Sequence, residues 1–179
     1  MNNNKLKEEF ISSFGVEKWE QEEMLGKIFP AHEKLCKYLG VEMLPVICED
    51  IPEESRFYIK EQYIVLSPKT LKSYTESLKS LVHEVRHQYQ MACAFSIKNA
   101  VDPFLVNLWR SEFIKESEPV NPNSEESLMH YYGLAIEVDA HAFSKWYLKE
   151  KLDIETHFPN PEYDGLIDLY IKKYIKNFK

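Results

Sequence analysis

The ten residues Leu81-Val82-His83-Glu84-Val85-Arg86-His87-Gln88-Tyr89-Gln90 place two histidines four positions apart inside a segment, about Thr70 to Phe95, that has no internal Pro or Gly. Helical spacing runs through the whole segment and Ser67-Pro68 closes what precedes it, so one helix is expected there. At about 100° per residue, His87 lies ~40° around that helix from His83, and Glu84 lies ~100° from it. Two imidazoles so arranged occupy one face and hold a single zinc ion, the H-E-x-x-H pattern. The Glu84 carboxylate then flanks the metal face instead of ligating, where a catalytic general base acting on a zinc-bound water belongs. Tyr74, Leu78, Leu81 and Val85 fall within ~40° of the opposite direction and are expected to anchor the helix in a core. A helix buried on both sides makes two histidines and a glutamate costly unless a ligand or hydrogen bonds satisfy them.

Catalytic zinc sites keep three protein ligands and leave a fourth position for water, so a third donor must come from elsewhere. A second helical stretch, roughly Ser124 to Lys151, is the best source. Taking Glu137 as the reference direction, His130, Gly133, His141 and Ser144 fall within ~40° of it, while Met129, Ile136, Phe143 and Tyr147 form a separate apolar stripe. Gly133, one turn before Glu137, lets this helix approach its partner closely. Glu137 is the expected ligand, and His130 and His141 are chemically able to replace it, because imidazole serves zinc equally well. Arg86 and Asp139 are placed to pair across the two helices, either as support for the ligands or as a plain surface salt bridge. Tyr89, His130, Tyr131 and Tyr132 are the candidates for a donor to a developing oxyanion.

Around these two helices the chain reads as a single α+β domain over 1–179, mainly helical with a small, mostly antiparallel sheet. Val16 to Gly40 has the apolar spacing of an amphipathic face (Trp19, Met24, Ile28, Leu35, Leu39), divided at Pro30 into two expected helices. Leu44–Ile47, Phe57–Ile59 and Tyr63–Leu66 are β-rich runs separated by turn residues. A shorter helix is expected from Pro103 to Lys115, then a polar surface loop from Glu116 to Glu126. A last helix, Glu162 to Phe178, is expected to pack through Leu166, Leu169, Tyr170 and Tyr174.

Composition narrows the function classes. A formal charge of -7 argues against a nucleic-acid partner, which needs a surplus of Lys and Arg on one face. No run approaches the ~18 apolar residues of a membrane span, and Met1 to Phe10 lacks the apolar core of a signal peptide. Cys36, Cys48 and Cys93 stand far apart with no Cys-x-x-Cys pair, which points to buried thiols and a cytoplasmic setting.

The stretch Leu81 to Gln90, followed after a spacer by Ile136-Glu137-Val138-Asp139-Ala140-His141-Ala142-Phe143-Ser144, resembles the zinc peptidases of the gluzincin group. The closest look is to the ImmA/IrrE-type domains and related small metallopeptidases of bacteria and their mobile elements. The resemblance covers roughly residues 57 to 148 and is specific at the two helices. It implies a zincin-like fold, Glu137 as third ligand, and an edge strand among the runs from Phe57 to Leu66 that holds an extended peptide. There are two departures from the pattern. Arg86 and His87-Gln88-Tyr89-Gln90 differ from the Gly-His of many ImmA/IrrE members, and His141 stands where thermolysin-like gluzincins carry Asp.

The expected function is therefore a zinc-dependent metallopeptidase: Zn2+ as cofactor, His83, His87 and Glu137 as ligands, Glu84 as base, and a peptide or protein as substrate. The main alternative keeps the metal in a catalytically inactive binding or regulatory protein, its site closed by His130 or His141 beside Glu137. A metal-free helical interaction module is the third reading, and it leaves the burial of His83, Glu84 and His87 unexplained.

Overall fold

The computed structural model describes residues 7, 11–13, 16–96, 102–115, 132–158 and 160–178. The order of elements is α1 (Val16–Leu39), β1 (Val46–Cys48), β2 (Ser55–Tyr58), β3 (Tyr63–Leu66), a 3-10 turn (Thr70–Lys72), α2 (Tyr74–Phe95), α3 (Pro103–Ile114), α4 (Ala135–Leu152), α5 (Pro161–Tyr174) and a closing 3-10 turn (Ile175–Asn177). The architecture is α+β and mainly helical.

Helix α2 starts where Ser73, in an extended conformation, accepts a hydrogen bond from the backbone N–H of Glu76, with the Glu76 carboxylate in the positive first turn. Its core face is Leu78, Leu81, Val82 and Val85, each no more than 2% exposed. Tyr74, expected on that face, is 44% exposed because it is the first residue of the helix, beyond the reach of the core. Helix α4 lies against α2 along its length and contributes Phe143, Tyr147 and Leu148 to the same core. Burying side chains of this size stabilises by ~1.5–3 kcal/mol each, and this joint apolar seam holds the two motif-bearing helices together.

Several expectations are corrected. α1 runs as one helix straight through Pro30, not as two. Proline removes one helical hydrogen bond and crowds the carbonyl four residues back, at about 3 kcal/mol. Ile28 before it and His32, Leu35 and Cys36 after it are buried, and this packing on both sides offsets that cost. The sheet is mixed, in the order β1-β3-β2, with β1 parallel and β2 antiparallel to β3. Ile64, Val65 and Leu66 are fully buried on both faces, so β3 takes the centre and needs a partner on each side. Gly133 lies before α4, in an exposed turn, and not one turn inside the helix as expected. In α5 it is Ile167 that is buried, while Leu166 and Leu169 are exposed; a helix capped by Asn160 and lying over a narrow contact buries a single stripe. The expected loop 116–126 and the first part of the expected helix from Ser124 lie outside the described residues. Among the described residues, no helix is long and apolar enough to cross a membrane.

Candidate metal centre

Three donor groups converge between α2 and α4. His83 and His87, one turn apart on α2, bring their Nε2 atoms to 2.9 Å of each other. Glu137, in the first turn of α4, reaches both: its Oε2 lies 3.3 Å from His83 Nε2 and its Oε1 lies 3.3 Å from His87 Nε2. All three residues are buried, and their donor atoms lie within 4.8 Å of one another. Ligand bonds of ~2.0–2.1 Å at tetrahedral angles place neighbouring donors about 3.3 Å apart, so two imidazole nitrogens and a carboxylate at these separations fit a zinc-sized cation. Among the described residues, Glu137 Oε2 and His83 Nδ1 are buried without a hydrogen-bond partner, which is costly for a carboxylate oxygen.

Electrostatics agree with a site built for positive charge. Burial disfavours the Glu137 carboxylate, yet attraction to His87 first, and the closeness of both imidazoles, hold its pKa well below the ordinary carboxylate value. Burial also works against a charged His87, but Glu137, Glu84 and Gln90 together push its pKa up to about 9. A protonated His87 thus offsets the buried Glu137 charge.

Glu84 is buried on the flank of this group and does not join it. One of its oxygens, Oε1, accepts a 2.7 Å hydrogen bond from Ser55 Oγ at the start of β2. This contact ties the candidate base to the sheet edge and leaves the second oxygen free of that bond. Ser55 was not legible as a site residue: it stands 29 positions away, and nothing in its local pattern signals the contact.

The remaining candidates separate clearly. His141 does not enter the donor group; its ring packs 4.2 Å from the His83 ring and against Tyr132, Phe158 and Tyr163. Burial, then the neighbouring His83, push its pKa well below the ordinary histidine value, so it is neutral. Tyr89 packs under the Arg86 guanidinium, which lies 4.6 Å over its ring. His130 and Tyr131 lie outside the described residues. Arg86 and Asp139 do pair across the helices, in the interior and not at the surface: Arg86 Nε and Nη2 donate to Asp139 at 2.7 and 3.1 Å, with side-chain exposures of 1% and 0%. Asp139 also accepts from Tyr170 at 3.2 Å and from Gln90 at 2.8 Å, and Gln90 in turn touches His87 Nδ1. Gln90 stands inside the motif stretch, and only its position three residues after His87 hinted that it shares the metal face.

Comparison with known protein families, with curated proteins and with solved structures finds no match.

Proposed function

We propose that this protein is a zincin-like, gluzincin-type zinc metallopeptidase acting on a peptide or protein substrate, with His83, His87 and Glu137 as ligands and Glu84 as general base. One observation carries the reading: three buried donors from two helices converge at ligand spacing, while a fourth acidic group stands beside them, tethered outside the donor set. A zinc ion held by His83, His87 and Glu137 would supply Lewis acidity towards a water and a carbonyl oxygen. Glu84, oriented through Oε1 by Ser55, takes the water's proton on its second oxygen and passes it to the leaving amine. β2 lies at an edge of the sheet, and its first residue contacts Glu84, so an extended peptide added along that edge runs past the base. His141 stacks on His83 instead of joining the donors, which leaves three protein ligands among the described residues. Cys36 and Cys93 are buried and Cys48 is half-buried, and a reducing, cytoplasmic setting suits such thiols.

The test is Glu84→Gln. This variant keeps the shape and a hydrogen-bond acceptor for Ser55 but removes the base, so zinc content should match the parent while cleavage of an unstructured peptide library falls by ~10² to 10⁴. Undiminished cleavage by a zinc-loaded variant would remove Glu84 from the mechanism.

A further inference from the structure

We infer that Gln90 is the positioning residue that decides which nitrogen of His87 is offered to the metal, and that the buried Arg86–Asp139 pair exists to hold Gln90 in that role. The inference rests on the metal reading above. It concerns the protein's own hydrogen-bond directions, which the residues determine step by step.

Arg86 is locked first. Its guanidinium is buried among the rings of Tyr89, Phe143, Phe178 and Trp109, and it grips Asp139 with two parallel hydrogen bonds. Asp139 Oδ2 is thereby fixed as an acceptor, and Gln90 Nε2 donates to it at 2.8 Å. The same Nε2 donates its second hydrogen to the backbone carbonyl of Ile136, on α4 beside Glu137, at 2.9 Å. Both partners are pure acceptors, so the NH2 end of the amide must face them. The oxygen end, Oε1, then faces His87 Nδ1 at 2.8 Å. An oxygen can only accept, which places a ring proton on Nδ1 and leaves Nε2, facing His83 and Glu137, as the nitrogen that can be given up to a metal. His83 is different: its Nδ1 is buried with no partner, so nothing comparable sets its tautomer. Of the two histidines, His87 is the preorganised ligand.

This also accounts for a charged pair in the interior. Buried ion pairs contribute little net stability compared with apolar side chains of the same volume, so a fully desolvated Arg–Asp pair calls for another role. Here its second oxygen is the fixed point from which the amide takes its direction, and hydrogen-bond partners of this kind commonly change metal affinity by 10- to 100-fold.

The experiment compares the full-length zinc-loaded parent with Gln90→Leu and Gln90→Glu. Zinc affinity is measured by competition with a chelator, and the state of each His87 nitrogen is read from long-range proton–nitrogen NMR correlations. Gln90→Leu removes the acceptor, so its zinc affinity should fall by about 10- to 100-fold and the signature of a protonated Nδ1 with a coordinated Nε2 should weaken or become mixed. Gln90→Glu, held as the protonated acid by the neighbouring Asp139 carboxylate, keeps an oxygen facing Nδ1 and a hydrogen for Asp139, so it should retain that signature and lose less affinity than Gln90→Leu. A merely structural Gln90 would lower the unfolding midpoint while leaving zinc affinity and the His87 signature as in the parent, and that result overturns the inference. If Gln90→Leu does not fold, a Gln90→Glu protein without the protonated Nδ1 signature overturns it equally. A parent that takes up no zinc refutes the metal reading itself, a separate outcome visible before any variant is made.

Discussion

Arg86→Met removes the guanidinium and keeps most of the unbranched stem. The pair it breaks is 1% and 0% exposed, so water cannot reach the Asp139 carboxylate left behind without opening the core. Gln90 and Tyr170 remain as its donors, at 2.8 and 3.2 Å, and both are neutral. Breaking a buried pair from one side in this way costs ~3–5 kcal/mol, because the remaining charge is desolvated and uncompensated. For a chain of this length each kcal/mol moves Tm by ~2–4 °C, so the expected drop is about 6 to 20 °C. Thermal and urea denaturation followed by circular dichroism, in excess chelator so that metal loss adds nothing, measures it. The double variant Arg86→Met/Asp139→Leu should recover much of the loss, since it removes the orphaned charge as well. A single variant within about 1 kcal/mol of the parent, or a double variant no more stable than the single one, would refute the claim that this pair is desolvated and mutually dependent.

Zinc should stabilise the parent. At a free concentration ~1,000 times its Kd the gain is ~4 kcal/mol, which for this size raises Tm by ~8–16 °C and disappears on chelation. His83→Ala/His87→Ala should show no such rise, and Glu137→Gln a reduced one; stoichiometric zinc in the double alanine protein, measured by elemental analysis, would rule out these ligands. A pH effect should come from His32, which is 2% exposed with Nε2 unpartnered, and whose pKa burial alone pushes down from 6.5 to about 4. Between those values the unfolded chain binds a proton that the folded chain refuses, so this contribution is complete above pH 6.5 and is lost as pH falls towards about 4. Metal-free His32→Leu should show a flatter stability profile across that window than the parent, and an equally steep profile would assign the acid sensitivity to other groups.

The H-E-x-x-H helix was legible because everything it needs is local. Helical geometry alone places His83 and His87 on one face and Glu84 beside it, and a run without Pro or Gly secures the helix. The strand Tyr63–Leu66 was legible for a similar reason, as a short apolar run between turn residues. Pro30 misled because local propensity says helix end, while burial on both sides of it says otherwise, and tertiary burial is the larger effect.

What the sequence by itself determined is the short-range part: which residues share a helical face, and that a chain with this motif contains donors able to bind a cation. The tertiary structure alone decided which donor completes the set, since His141 and Glu137 share one face of α4 and only the packing of α4 on α2 brings Glu137 to 3.3 Å from both imidazoles. It also decided that Ser55 holds Glu84, that Asp139 and Arg86 meet in the interior, and that β1 pairs with β3 in parallel. These contacts join residues 18 to 53 positions apart. Their formation depends on how amphipathic faces pack once they exist, a property of the assembled core that no local pattern encodes.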